Sequence, residues 1–241
     1  MAEDEIRQSS MPYEKIDKQI EQEMINKFFD KIWAEKLKVA EELIQSDKYK
    51  TEGIIILCCY IGAISYERYK MSNPAISDRV AYKKMLMNYS GLDLYKKFDL
   101  LFFYKWPGSE YNNHNSYNYF KKNNYENYRK IKQIIEKKFG SKKNINLQNR
   151  FIAKKEVLNI IDTAAINNIK IDEMKIKMEL FSVSEIFYRY YRCGGVHKGD
   201  VLIDLNLFLP ISIDQMLQTI KNILANLKEE CVSNSKWPWE L

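Results

Sequence analysis

The chain has 241 residues, of which 46% are hydrophobic and 29% are charged, a balance that excludes a disordered chain and is typical of a globular protein. Only 8 glycines and 5 prolines occur, which favours long helices over a fold with many turns. The net charge of +6 is unevenly spread, since residues 114–155 hold 12 basic and 2 acidic side chains. We therefore expect a mainly helical protein with a cationic middle.

Three helices are predicted in the first part of the chain. In residues 12–46 apolar side chains recur every three to five positions between charged ones, a pattern typical of a long amphipathic helix. Residues 53–70 begin with about 13 uncharged, mostly apolar residues, which predicts a central helix buried on most sides. This run is shorter than the roughly 20 residues that cross a bilayer, so we expect no membrane partner. Residues 77–89 predict the third helix.

Two pairs of neighbouring side chains in the second helix carry expectations of their own. Glu67 and Arg68 are expected to form an internal ion pair, with a functional polar patch as the alternative. Cys58 and Cys59 are expected to pack as small hydrophobic groups in a reducing cytoplasm. None of the four cysteines has the spacing of a Cys-x-x-Cys metal site.

The middle of the chain predicts two helices around a polar loop. Residues 92–106 are rich in leucine, phenylalanine and tyrosine and predict a closely packed helix. Residues 107–118 predict the loop, and residues 119–139 a cationic helix. Basic and tyrosine side chains interleave there, which suits backbone attraction and base stacking on single-stranded RNA; the alternative is a solvated lysine-rich face. The candidate RNA-binding residues of this region are Lys121, Lys122, Arg129 and Lys130.

Further helices are predicted over residues 150–166 and 171–180. The next helix begins at Val183 and is called here the motif helix. Ser182 or Ser184 is its expected N-terminal cap, because a serine hydroxyl can accept a hydrogen bond from an amide of the first turn.

After the motif helix the pattern changes. Apolar residues alternate at period two over residues 201–209, the mark of a strand, for which a second copy of the chain is a candidate partner. Residues 211–231 return to a helical pattern. The predicted fold is therefore all-α: a compact bundle of about seven to eight helices with one short strand or hairpin after the motif helix. We expect a single domain over residues 1–241, with a basic Tyr/Lys-rich helical insertion at about 107–155.

One run at the motif helix carries candidate chemistry: Arg192 and His197 are separated by four residues, and Lys198, a further candidate RNA-binding residue, follows. A guanidinium is always charged and forks onto phosphate oxygens, while an imidazole exchanges a proton near neutral pH. The pair suits metal-free cleavage of an RNA phosphodiester. In an α-helix of about 3.6 residues per turn the two side chains would lie roughly 140° apart, so both would have to project from the helix end. The alternative, a structural or capping role for His197, stays open.

The sequence lacks the common motifs of nucleotide, metal and serine chemistry. It has no glycine-rich phosphate loop, no His-Glu-x-x-His pair, no Gly-x-Ser-x-Gly elbow and no Cys/His cluster at metal spacing. We therefore expect neither a metal nor a cofactor. His114 lies in the polar loop and is expected to be exposed. The acidic, polar N-terminus is unlike a secretory signal, so the expected location is the cytoplasm.

The run RCGGVH, which begins at Arg192, fits the Arg-x4–6-His motif of HEPN-domain proteins, and the wider phrase IFYRYYRCGGVHKG resembles the form found in many prokaryotic HEPN-like proteins. The earlier run EGIIILCCYIGAISYERYK resembles the apolar helix that precedes the motif in that family. The resemblance implies a helical homodimer in which two motifs form a composite ribonuclease site. It implies that Arg192 binds the scissile phosphate and that His197 transfers protons at the ribose 2′-oxygen and the leaving 5′-oxygen.

Three functions follow from these patterns. The first is a cytoplasmic, metal-independent endoribonuclease that acts as a homodimer on RNA, in a prokaryotic defence or toxin setting. The second is a non-catalytic module of the same fold that binds RNA or a protein partner within a larger complex. The third is a purely structural helical subunit. Binding that survives loss of Arg192 and His197 but falls steeply with salt would favour the second function.

Overall fold

Helices form most of the computed structural model, which describes residues 17–105, 125–146, 148–163, 178–194 and 211–241. Within these ranges the helices are accompanied by one two-stranded antiparallel sheet. The predicted all-α fold is confirmed. No helix in the described ranges has both the length and the apolar character that a membrane span requires.

The chain divides into two compact units. Unit 1 is formed by the described residues within Met1–Gly91, Tyr191–Val201 and Ile213–Leu241, and unit 2 by those within Leu92–Tyr190 and Leu202–Ser212. The single domain with an insertion at about 107–155 stays a prediction.

The first helical segment of unit 1 is continuous but contains a wider turn. Helix α1 (residues 17–27) passes into a π-helical turn, Phe28–Trp33, and then into helix α2 (Ala34–Gln45). A π turn closes its backbone hydrogen bonds over one more residue than an α-turn. The predicted long helix is therefore observed from residue 17 onward, while residues 12–16 lie outside the described ranges.

Helix α3 (Lys50–Ser65) is the buried centre of unit 1, as its apolar run predicts, and it continues through a second π turn, Tyr66–Lys70. Of the two adjacent cysteines, Cys58 is buried as expected, whereas Cys59 is exposed. The buried residues of α3 are Gly53, Ile54, Leu57, Cys58, Ile61, Ile64 and Ser65.

Gly53 is the point of closest approach between α3 and α2. A Cβ atom at this position would lie 2.6 Å from Ile44 Cγ1, 2.8 Å from the Ile44 backbone nitrogen and 3.1 Å from the Ala40 carbonyl oxygen. Two of these three atoms belong to backbone and cannot rotate away. The two helices can therefore pack at this distance only because residue 53 has no side chain.

Helix α4 (Asp78–Tyr89) confirms the third predicted helix. Its first turn is capped by Ser77, whose side-chain oxygen accepts a hydrogen bond from the Val80 amide at 3.4 Å. A serine in this position satisfies one of the amides that the first helical turn leaves without an intrahelical partner.

Helix α9 (Ile213–Asn234) confirms the predicted C-terminal helix and closes the other end of α4. The side-chain amide of Asn222 donates to the Ser90 carbonyl oxygen at 2.6 Å, and that of Asn226 donates to the Tyr89 carbonyl oxygen at 2.8 Å. These two asparagines satisfy carbonyl groups that have no helical partner after α4 ends. They fix α9 against α4 by directed contacts as well as by apolar packing.

The predicted ion pair between Glu67 and Arg68 is wrong. Arg68 Nε donates a hydrogen bond to the Tyr89 hydroxyl at 2.9 Å, and its guanidinium lies 3.6 Å from the Glu230 carboxylate. The Tyr89 hydroxyl in turn donates a hydrogen bond to Glu230 at 2.5 Å. Adjacent residues of a helix point in different directions, so Arg68 reaches a carboxylate from α9 and not that of its neighbour. Burial raises the pKa of Glu67, which favours its protonated form.

The chain ends in a short 3₁₀ turn, Pro238–Glu240, which is held against the first helical segment by aromatic contacts. The Trp237 ring meets Phe28 edge to face at 5.7 Å between ring centroids and stacks on Trp239 at 5.1 Å. Edge-to-face and stacked geometries are the preferred arrangements of aromatic pairs.

Unit 2 corrects the predicted helix over residues 92–106. Its first part is a 3₁₀ turn, Asp93–Lys96, followed by strand β1 (Lys97–Asp99), and only the second part is helical, as α5 (Leu100–Lys105). A strand of three residues is too short to produce a period-two pattern, and its one aromatic residue, Phe98, gives too weak a strand signal to detect.

The strand that pairs with β1 occupies the first residues of another predicted helix. The segment predicted as helical over residues 150–166 begins with strand β2 (Phe151–Ala153), and helix α7 (Lys154–Thr163) follows. The two strands pair antiparallel, with Phe98 opposite Ile152. The pairing joins segments about fifty residues apart, which local periodicity cannot detect.

Helix α6 (Tyr125–Phe139) confirms the described part of the predicted cationic helix over residues 119–139. Ile131 and Ile135 are fully buried on its inner face. They join an apolar core built from β1, α5, α7 and the 3₁₀ turn Glu179–Phe181. The buried residues of this core are Phe98, Leu100, Phe103, Tyr104, Ile131, Ile135, Val157, Ile161, Met178, Leu180 and Phe181.

A buried ion pair fixes the end of β1 in unit 2. Arg150 Nε donates to Asp99 Oδ1 at 2.9 Å and its terminal nitrogen donates to Oδ2 at 2.6 Å, while Asp99 has no exposed surface. Asp99 Oδ1 also accepts from the Phe102 amide at 3.1 Å, which caps α5. Burial raises the pKa of Asp99, and the guanidinium of Arg150 opposes that rise.

The motif helix, α8, begins where the sequence predicts. Ser182 is its N-terminal cap and accepts a hydrogen bond from the Glu185 amide at 3.3 Å. The helix is α-helical over Val183–Ile186 and π-helical over Phe187–Cys193. The strand predicted over residues 201–209 lies outside the described residues.

The two glycines of α3 give opposite predictions for stability. Gly53→Ala places a methyl group against backbone atoms of α2, and we expect it to lower the free energy of unfolding by about 1–3 kcal/mol. Gly62→Ala is the matched control, because a Cβ there meets its nearest neighbours at 3.9 Å. Alanine is the better helix former, so this variant should be neutral or more stable by up to about 1 kcal/mol.

Urea denaturation followed by circular dichroism measures both variants. Equal midpoints for Gly53→Ala and the unmodified chain would contradict the close approach of α2 and α3.

Removal of one partner of the buried ion pair should destabilise unit 2 strongly. Arg150→Leu leaves the Asp99 carboxylate buried without its cation, and we expect a loss of about 3–5 kcal/mol in the free energy of unfolding. The double variant Asp99→Leu with Arg150→Leu removes both charges and should lose less than the single variant. Denaturant midpoints of the three proteins test this; a double variant less stable than Arg150→Leu would count against the pairing.

Candidate functional site

Arg192 lines a cavity in unit 1. The cavity has a volume of ≈ 260 Å³ and is walled by the C-terminal half of α3, the π turn that follows it, the start of α4 and the Arg192 side chain. Arg192 itself is half-buried. The sequence predicts this arginine as a phosphate-binding group, and its guanidinium borders a space that a small ligand can enter.

A π-helical turn carries Arg192 at the cavity. The arginine lies near the end of the π-helical turn Phe187–Cys193. Because a π turn holds more residues than an α-turn, the projection at 3.6 residues per turn does not apply to the helix that carries Arg192. His197 lies outside the described residues, so its position relative to Arg192 stays a prediction.

Gly62 leaves room for the arginine above α3. A Cβ atom at this position would lie 3.9 Å from Arg192 Nε and 3.9 Å from Tyr82 Cε2. These are ordinary van der Waals distances, so alanine fits, but a longer side chain would enter the space that the guanidinium occupies. The guanidinium therefore lies directly over the surface of α3 at this glycine.

Lys70 and Asp78 form an ion pair on the wall of the cavity. The Lys70 ammonium donates to Asp78 Oδ1, and the two side chains are 22% and 54% exposed. The hydrogen bond from Lys70 lowers the pKa of Asp78, and the positive charge of Arg192 adds to this effect. Among the described residues that line the cavity, positive charges therefore exceed negative charges by one.

Two tyrosines contribute to the wall in different ways. Tyr82 is 1% exposed, and its hydroxyl donates to the Cys58 carbonyl oxygen at 3.4 Å, so it forms part of the packed interior. Tyr66 is 52% exposed, and the Lys70 ammonium lies 5.7 Å from the centre of its ring. That distance is within the range of a cation–π contact.

Cys59 also lines the cavity, and its thiol has a raised pKa. Burial raises the pKa of the Cys59 thiol, and the charge of Arg192 only partly offsets this. A raised pKa disfavours the thiolate, which is the nucleophilic form of a cysteine.

The other predicted site residues are Lys121, Lys122, Arg129, Lys130 and Lys198. Arg129 and Lys130 belong to helix α6 of unit 2. Lys121, Lys122 and Lys198 lie outside the described residues.

Sequence reasoning did not find Tyr66, Lys70 and Asp78. They have no motif spacing, and they meet because the chain reverses between α3 and α4. Only Ser77, the capping serine before Asp78, gave a local signal that α4 begins there.

In the described part of the chain, no group of three or more His, Cys, Asp and Glu side chains is placed to hold a metal ion. The charged groups that line the cavity are a guanidinium and an ammonium, which can bind anions through hydrogen bonds, and the Asp78 carboxylate.

Comparison with known proteins gives no relative from which a function could be transferred. No family model matches the sequence, and searches of curated proteins and of solved structures find no match.

Proposed function

We propose that the protein is a metal-independent endoribonuclease of the HEPN type, in which Arg192 binds the scissile phosphate and His197 transfers protons. The observation that carries the proposal is the placement of the Arg192 guanidinium at a cavity of ≈ 260 Å³ with an excess of positive charge among its described lining residues. An arginine in this position has the geometry to fork onto two phosphate oxygens.

The proposed reaction needs only the groups of the motif. An imidazole accepts the proton of a ribose 2′-hydroxyl, and the 2′-oxygen attacks the adjacent phosphorus. The bond from phosphorus to the 5′-oxygen breaks, and that oxygen receives a proton from a second imidazole. The products are a 2′,3′-cyclic phosphate and a free 5′-hydroxyl. Arg192 stabilises the negative charge that grows on the non-bridging oxygens.

A homodimer would supply the second imidazole. The HEPN resemblance implies a composite site from two copies of the motif, and one copy of this chain offers one Arg-x4-His sequence. We therefore propose that each active site uses His197 from two chains, one as general base and the other as general acid. The proposed biological setting is prokaryotic defence or a toxin-type system in the cytoplasm, with RNA as the substrate.

A second candidate function is supported by a different surface. Four apolar side chains of α1, the following π turn and α2 are each about half exposed: Ile20, Met24, Ile32 and Val39. A contiguous apolar patch on this helical segment would be typical of a face that binds another protein. The protein would then be a non-catalytic interaction module, and loss of Arg192 would leave its binding unchanged.

Cleavage of RNA in the presence of EDTA separates the two functions. We expect the purified protein to produce cyclic phosphate ends under these conditions. Arg192→Met should lower the cleavage rate by roughly 10²–10³-fold, because the phosphate charge loses its fixed partner. His197→Ala should lower it by about 10²–10⁴-fold, because proton transfer is lost. Single-turnover rates from gel analysis of end-labelled RNA measure both effects.

Arg79→Met is the matched control, since Arg79 is a half-buried arginine of α4 that does not line the cavity. It should cleave at the rate of the unmodified protein. Equal rates for the unmodified protein, Arg192→Met and His197→Ala would assign any observed cleavage to a contaminant and reject the proposal. A well-folded protein that cleaves no RNA would favour the interaction module.

A further inference from the structure

The cavity beside Arg192 has an aromatic wall that phosphate binding does not use. Tyr66 lines the same cavity as Arg192 and is 52% exposed. Among the described aromatic side chains of the cavity, Tyr82 is buried at 1% exposure, so Tyr66 is the one with a ring accessible to a ligand. A guanidinium and an exposed ring in one cavity match the two parts of a nucleotide, its phosphate and its base.

We propose that this cavity is a subsite for one unpaired nucleotide, which places its phosphate on Arg192 and stacks its base on Tyr66. The inference rests on the proposed function and deepens it, since it names the substrate class as single-stranded RNA. The volume of ≈ 260 Å³ lies just below the usual range of ligand pockets, so the cavity can take at most a single nucleotide and excludes a duplex from its interior.

The ring of Tyr66 is held in place before any ligand binds. The Lys70 ammonium lies 5.7 Å from the ring centre, and the ion pair with Asp78 fixes that ammonium in turn. A ring that is already oriented loses less side-chain entropy when a base stacks on it. The ion pair of Lys70 with Asp78 therefore orients the ring of Tyr66. This orienting role accounts for the Asp78 carboxylate in a cavity that binds a phosphate.

Stacking on Tyr66 also selects against paired RNA. In a duplex both faces of a base are covered by the neighbouring base pairs, and the bases cannot reach a ring inside a cavity. An unpaired base in a loop or a single strand can turn out of its stack. The subsite is tolerant of base identity, because every base has a π-face.

Binding of a non-cleavable oligonucleotide tests the subsite separately from catalysis. The probe is a fluorescein-labelled 2′-O-methyl RNA, which lacks the attacking 2′-hydroxyl, used as a single strand and as a duplex. We expect Tyr66→Leu to weaken binding of the single strand by roughly 5- to 150-fold, the range for loss of one base–aromatic stack. Tyr66→Phe keeps the ring and should bind within about twofold of the unmodified protein.

Tyr49→Leu is the control, because Tyr49 is a 42% exposed tyrosine with the Lys48 ammonium 5.0 Å from its ring centre, and it does not line the cavity. This variant should bind like the unmodified protein. In cleavage of single-stranded RNA, Tyr66→Leu should raise KM more than it lowers kcat, because Tyr66 does not touch the reacting atoms.

The possible results separate the two proposals. Tyr66→Leu that binds the single strand as tightly as the unmodified protein overturns the subsite, and so does tighter binding of the duplex than of the single strand. No binding by the unmodified protein also overturns it. A protein that binds single strands through Tyr66 and Arg192 but cleaves no RNA supports the subsite and rejects the ribonuclease.

Discussion

Helix α3 carries no charged residue between Gly53 and Ser65, so it is stable only where other elements cover it on several sides. Helix α2 approaches it so closely at Gly53 that any Cβ would strike backbone, and α4 and α9 pack against it as well. The cavity lies along the part of its surface near Gly62. The cavity is therefore a part of the α3 surface that its neighbouring helices leave uncovered. Its shape depends on how α2, α4 and α9 pack against α3.

Three of the side chains that line the cavity belong to π-helical turns. Among the described residues there are three π turns, and two of them, Tyr66–Lys70 and Phe187–Cys193, supply Tyr66, Lys70 and Arg192 to the cavity. π turns are rare and occur mostly as single turns inside α-helices, frequently at functional sites. Here the Lys70 ammonium lies 5.7 Å from the centre of the Tyr66 ring, and Arg192 lies above Gly62.

The sequence predicts the helical fold, the burial of α3 and the serine cap of α8, because each of these leaves a local signal in periodicity or residue type. The role of Arg192 in phosphate binding stays a prediction. It does not predict the short strands inside residues 92–106 and 150–166, because their pairing joins distant segments and outweighs local helical preference. It also misses Lys70 and Asp78, since no spacing rule links the end of one helix to the start of the next. In both cases a local sequence pattern does not show which distant segments of the chain contact each other.

The ion pair of Lys70 with Asp78 decides how the cavity treats an anion. The carboxylate offsets the charge of Lys70. In the proposed function the phosphate binds to the Arg192 guanidinium, which can form a directed fork of two hydrogen bonds. The hydrogen bond from Lys70 lowers the pKa of Asp78, and a guanidinium does not lose its proton in proteins. Both effects favour the charged forms of Asp78 and Arg192. In the proposed mechanism the change of cleavage rate with pH near neutrality comes from the imidazole of His197.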